Sequence, residues 1–182
     1  MAIAKKMQTV VRHLFNHMDG QTDVTTYVIL DAARDESVYK KIQEAGHKDS
    51  CLYSGMRAQA LAEVAPYLIP LKREDPFTEW VFNLGWGNSW GIFLESPATL
   101  EQLKRHFQSF IIVSTEDGKS IYFRFYDPRI LRVYLPTCRR RELQTFFGPV
   151  KSYWLEDMDG ALMEFRCTQD FKLTKNVINL QG

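Results

Sequence analysis

The sequence lacks a charge excess of either sign: 23 basic residues stand against 22 acidic ones, a formal net charge of +1 over 182 residues. That balance argues against a dedicated nucleic-acid binder, which carries a large basic surplus. Cysteine is scarce. Cys51, Cys138 and Cys167 are odd in number and widely spaced, so neither a disulfide framework nor a zinc cluster is expected, and free thiols in a reducing compartment fit best. There is no run of about 18 apolar residues, which argues against a membrane-spanning helix. Met1 to Met7 carry charge with no continuous apolar stretch after them, unlike a secretory signal. The expectation is a soluble cytoplasmic protein with neither membrane nor nucleic acid as partner. Internal repeats, low-complexity tracts and long linkers are also missing.

Apolar and aromatic side chains are plentiful: 45% of residues are hydrophobic and 13% aromatic, with 12 Phe, 8 Tyr and 4 Trp. This is too apolar for disorder and enough for one domain with a packed core. Ile3, Met7, Val10, Val11, Leu14 and Met18 recur at helical spacing, and Asp19-Gly20 ends that helix. Tyr27-Val28-Ile29-Leu30 is a wholly apolar run of β-formers, the pattern of a strand covered on both faces. Asp35 caps a helix with an inner stripe of Val38, Ile42 and Ala45, closed by Gly46. A short strand follows at Cys51-Leu52-Tyr53, then a helix bearing Met56, Ala60, Leu61 and Val64, and a strand at Tyr67-Leu68-Ile69.

Asp75-Pro76, Ser96-Pro97 and Asp127-Pro128 each pair a good N-cap with proline at the first helical position. A further helix is expected from Thr137 to Gly148-Pro149. Strands are expected over 90–95 and 110–115, with Glu116-Asp117-Gly118-Lys119 turning into a strand over Ile121–Tyr126. Asp159-Gly160 joins a last hairpin, near 151–157 and 161–167, and the residues after Thr168 show no period. The fold class is therefore α/β: a mixed β-sheet flanked by helices, with late antiparallel hairpins. An N-terminal helix over 1–22 packs on a single domain over 23–167, of one lobe or two, and 168–182 form a tail.

The chain shows no coherent catalytic set. Gly87-Asn88-Ser89-Trp90-Gly91 matches the G-x-S-x-G of a nucleophile elbow, but a helix precedes it and a strand follows, the reverse of what the motif needs. A serine hydrolase using Ser89 is the alternative function. His13 and His17 are four apart on one helix, yet Leu14 replaces the glutamate of the zincin pattern, so no metal is expected. Asp157-Met158-Asp159-Gly160 is a turn rather than a calcium loop. No phosphate-binding glycine motif occurs, and no cofactor is expected. Arg139-Arg140-Arg141 reads as a solvated face or a spot that meets an acidic partner, and Cys138 beside it as a structural thiol.

Two charged groups stand out. Asp31 and Arg34 follow the first buried strand directly, where α/β sheets tend to place ligands. Arg124 lies within the aromatic string Ile121-Tyr122-Phe123-Arg124-Phe125-Tyr126, followed by Asp127 and Arg129. A charge in such surroundings is expensive unless paired. Either Arg124 pairs with Asp31 or Asp127 and pins the chain together, or the arginines form a fork for a partner's carboxylates. A small-ligand site at Asp31, Arg34 and Arg124 is a further reading.

Seven strings carry a resemblance: Leu30-Asp31-Ala32-Ala33-Arg34-Asp35; Cys51-Leu52-Tyr53-Ser54-Gly55; Ala65-Pro66-Tyr67-Leu68; the run Gly85 to Phe93; the run Tyr122 to Arg129; Leu135-Pro136-Thr137-Cys138; and Phe147-Gly148-Pro149. In that order, over about residues 25–157, they resemble the adaptor or effector-chaperone domain of bacterial type VI secretion systems. The resemblance implies a non-enzymatic protein that binds a cognate effector in the cytoplasm and loads it onto the VgrG spike. It implies a signature region of Trp86, Trp90, Arg124, Tyr126, Asp127 and Arg129, which with Asp31 and Arg34 are the partner-binding candidates.

Overall fold

The computed structural model describes residues 5–15, 23–47, 50–114 and 117–180. Helix α1 (Lys5–Leu14) buries Met7, Val10, Val11 and Leu14, four of the expected stripe. Ile3, Met18 and the Asp19-Gly20 stop lie outside the described residues. The chain then enters β1 (Thr25–Asp31), whose six residues after Thr25 are all buried. Asp35 caps α2 (Glu36–Glu44) by accepting from the Ser37 amide at 2.8 Å; Val38 and Ile42 face inward, while Ala45 is the C-cap and stays exposed. Helix α3 (Gly55–Ala60) leads to a short 3-10 turn and to β2 (Pro66–Pro70). Asp75 caps α4 (Pro76–Trp80), which continues as a π-helical turn over Val81–Gly85. Then come β3 (Gly91–Ser96), α5 (Leu100–Ile111), and the short β4 (Ile112–Ser114) and β5 (Ser120–Tyr122). Helices α6 (Pro128–Tyr134) and α7 (Arg140–Phe147) precede β6 (Ser152–Glu156), β7 (Leu162–Cys167) and β8 (Leu173–Ile178).

Six strands form one sheet in the order β2-β1-β3-β6-β7-β8, and β4 pairs with β5 apart from it. All five pairings in the large sheet are antiparallel. The segment between β1 and β2 returns to the end it left, tied there by the Ala32 amide donating to the Ala65 carbonyl at 3.1 Å, so β2 runs back along β1. Side-chain alternation divides the interior into two cores. Val28, Leu30, Ile69, Phe93, Trp154 and Leu162 face α1, α2 and α4. Tyr27, Ile29, Leu68, Ile92, Leu94, Tyr153 and Phe165 face α5, α6 and α7. The result is helices on both faces of a sheet, as the apolar run at Tyr27–Leu30 implied.

Several local expectations are corrected. Cys51–Tyr53 is not a strand: Cys51 makes a single bridge to Tyr67. The helical ladder breaks at Leu61 (φ −121°), so Met56, Leu61 and Val64 never form an inner stripe and stay exposed. Ser96 does not cap α5. Its hydroxyl donates to the Pro149 carbonyl at 2.7 Å and accepts from the Ala98 amide, while Thr99 and Gln102 form a capping box one turn later. Residues 110 and 111 complete α5 rather than open a strand. The strand expected over 121–126 stops at Tyr122, where its three-residue partner β4 runs out, and Tyr122 is 49% exposed instead of buried. Helix α7 starts at Arg140 because Leu135–Thr137 close a 3-10 turn first. The tail is no tail: Leu173–Ile178 pair with β7 as the sixth strand. Glu116 of the first hairpin turn lies outside the described residues, and the two turn glycines, Gly118 (φ +78°) and Gly160 (φ +73°), take the left-handed conformation expected of them.

Gly91 sets the closeness of β1 and β3. A Cβ there would sit 1.9 Å from the Ile29 carbonyl oxygen, a backbone atom with no freedom to yield. Gly91→Ala is expected to destabilise the fold by about 2–3 kcal/mol, since the strands must separate locally. Urea denaturation of the two proteins measures this, with the change expected in the midpoint and not in the slope.

Candidate functional site

The site is assembled where β1 ends. Asp31 is 1% exposed, and its Oδ1 accepts from the Ala33 amide at 3.1 Å, capping the 3-10 turn Ala32–Arg34. Its Oδ2 accepts from Arg124 Nη2 in a short charge-assisted bond. Arg124 is not in a strand. The chain leaves β5 at Tyr122 and folds into a turn in which the Asp127 amide donates to the Arg124 carbonyl at 3.0 Å. That turn carries the guanidinium back to β1. Of the two readings open in the sequence, pairing with Asp31 is the one found, and Asp127 Oδ2 lies 3.9 Å from the same nitrogen.

Asp127 serves two purposes at once. It caps α6 by accepting from the Arg129 amide at 2.9 Å, and its carboxylate takes the Arg129 side chain bidentately, Nε at 2.9 Å and Nη2 at 2.6 Å. Burial pushes this carboxyl up. The hydrogen bonds from Arg129 and the charges of Arg129 and Arg124 outweigh that, so it is held below its ordinary value. Arg124 is raised despite burial, because Asp31 both bonds and attracts it. Tyr126 is buried and hydrogen-bonded to Tyr53, and desolvation pushes its hydroxyl far up, well beyond the range in which it ionises.

The glycine-rich loop after α4 is held from β6. Both oxygens of Glu156, a buried carboxylate, accept bonds from it: the Gly87 amide on one, and the Ser89 amide (2.7 Å) and Ser89 hydroxyl (3.0 Å) on the other. Ser89 sits at φ +52°, a strain the two Glu156 bonds offset. Trp90 is buried against Trp80 at 5.0 Å, and its carbonyl accepts from the Asp31 amide at 2.7 Å. Trp86 is partly buried beside Phe93 and donates to the Gly160 carbonyl at 3.3 Å. Arg34 donates through Nη2 to the Asn88 carbonyl at 3.3 Å, and its Nε is buried without an acceptor among the described residues.

Seven of the eight candidate residues therefore lie around one junction between β1, the loop 86–90 and the turn before α6, while Trp86 packs beside Phe93 and reaches the Gly160 carbonyl. Asp31, Tyr126, Asp127 and Trp90 are beneath the surface, while Arg124 and Arg129 keep 40% and 46% of their side chains exposed. Among the described residues no three His, Cys, Asp or Glu side chains converge as a metal site. His13 lies beside Trp154, and His17 is outside the described residues. Burial pushes the Cys138 thiol up, away from nucleophilic character, and no helix among the described residues is long and apolar enough to cross a membrane.

A family model described as "Domain of unknown function (DUF4123)" matches residues 26–145. The chain belongs to that family. No curated protein and no solved structure matches it. The DUF4123 span takes in β1 through most of α7, and with it Asp31, Arg34, Arg124, Asp127 and Arg129. Glu156 falls beyond it. Nothing in the spacing marked Glu156, yet the signal was present: it ends the apolar run Tyr153-Trp154-Leu155, where a charge needs partners as much as Arg124 does.

Arg124→Ala is expected to cost about 2–3 kcal/mol, because it strands a buried carboxylate; the figure is discounted for the solvent that reaches Arg124. Asp31→Asn with Arg124→Met should cost less than the two single changes together, which a double-mutant cycle in denaturant measures. The lowered Asp127 carboxyl contributes stability that is complete above its ordinary value of 3.8 and is lost as pH falls through the lower native value. In Arg129→Ala the acid unfolding midpoint, followed by circular dichroism, is expected to move to higher pH.

Proposed function

We propose that this chain is an adaptor of the type VI secretion type, which binds a cognate effector in the bacterial cytoplasm and delivers it to the VgrG spike without chemistry of its own. The observation that carries the reading is the coincidence of two spans: seven ordered strings resembling those adaptors over about 25–157, and a DUF4123 match over 26–145. The condition of the polar groups adds support. Asp31, Asp127 and Glu156, the carboxylates best placed for general acid or base work, are all engaged in holding backbone or arginine. Arginine forks and tyrosines at a surface are the side chains that interfaces favour. Ser89, whose hydroxyl faces Glu156, belongs on this reading to the loop's scaffold.

Co-expression with the products of neighbouring genes tests the proposal. A spike protein and one effector are expected to co-purify with the tagged chain, and the effector to gain solubility. Purification alone, with no gain for any neighbour, defeats the proposal. Labelling by a serine-reactive probe that vanishes in Ser89→Ala would favour the hydrolase instead.

A further inference from the structure

From the Asp31 junction a run of tyrosine and arginine contacts continues outward to the surface. Arg57 of α3 lies over the Tyr122 ring, 5.5 Å from its centre. Tyr122, half exposed, stands 6.0 Å from the ring of Tyr53. Tyr53 is bonded to Tyr126, and both sense the Asp31 charge. Asp31 holds Arg124, and Arg124 shares Asp127 with Arg129.

The burial of the charges along this line is one-sided. The carboxylates are 1% and 2% exposed, while the guanidiniums they hold are 40% and 46% exposed. Arg124 bonds through Nη2 alone among the described residues, which leaves the rest of its fork toward solvent. Among the described residues two more cations have no carboxylate bonded to them: Arg57 rests on a ring, and Arg34 has one 3.3 Å bond to a carbonyl. Guanidiniums with no carboxylate of their own are the ones open to a partner's. A chain of net charge +1 has thus turned its positive ends outward at one place and sunk the matching negative ends.

We propose that this face, from Arg57 through Tyr122 and Arg124 to Arg129 and Arg34, docks an acidic segment of a partner protein through its Asp and Glu carboxylates. Guanidinium forks match carboxylates bidentately, and the tyrosines between them supply apolar contact with little loss of side-chain freedom. A nucleic-acid backbone is the less suited occupant, because the chain as a whole offers no basic surplus to hold it. The inference rests on the adaptor reading for the partner's identity as a carried protein.

The test uses the full chain and a fluorescein-labelled deca-glutamate peptide, with deca-serine and a ten-nucleotide oligo-dT as comparison probes, followed by anisotropy. Arg34→Gln with Arg57→Gln removes two charges and leaves every buried carboxylate with its partner. Deca-glutamate is expected to bind, deca-serine not to, and the double variant to bind at least tenfold more weakly. Arg141→Gln, in the separate arginine run of α7, is expected to change affinity less than twofold. Equal binding by the double variant, an equal loss in Arg141→Gln, or tighter binding of oligo-dT each overturns the inference. Unchanged circular dichroism of the variants separates lost docking from lost fold. In the co-expression assay, a partner retained fully by the double variant sinks this docking face and leaves the adaptor reading standing. No partner with the unaltered chain sinks the adaptor reading, and the peptide result still decides the face.

Discussion

The bond between Asp31 and Arg124 ties the end of β1 to the turn that follows β5. Asp31 ends β1, starts the 3-10 turn that leads to α2, and donates its amide to the Trp90 carbonyl in the loop before β3. Arg124 arrives from 93 residues further along. Their union draws the turn after β5 onto the sheet, and that turn sets the direction of α6 through Asp127. A buried carboxylate has little tolerance for lacking a partner, so the arginine has little choice of place. The candidate site is in this sense a by-product of solving a burial problem at the end of β1.

Glu156 solves a second such problem next to the first. The loop 86–90 has backbone amides that point inward with no strand or helix to receive them, and the Glu156 carboxylate accepts two of them and a hydroxyl. A carboxylate that accepts backbone amides satisfies donors that would otherwise be orphaned in the interior. Two acidic side chains from different strands thus position both segments that border the site. The polar groups here are used to shape the chain.

Much of this was legible in the residues. The run Tyr27–Leu30 announced a strand buried on both sides, and Asp35, Asp75 and Asp127 announced their helices, because a cap is a local device that needs only its neighbours. The partnership of Arg124 was legible as a need, since an arginine among Phe and Tyr requires an acid. The illegible parts depended on distant pairing. The string 121–126 has strand composition, but a strand exists only as far as its partner does, and β4 ends after three residues. Ser96 looked like a cap until its hydroxyl found the Pro149 carbonyl 53 residues away. Strand β8, half apolar and half polar, carries no alternation because its side chains are largely exposed; only the ladder with β7 makes it a strand.

The two cores share one wall. Tyr27 and Ile29 belong to one side and Val28 and Leu30 to the other, along a single strand that is bonded on both edges. Neither helical layer has a sheet of its own to fall back on, so peeling away one layer would wet the strand on which the other rests. The protein is built to melt as one cooperative unit, with the β1 amides the last to exchange with solvent and the polar junction at its end inheriting their persistence.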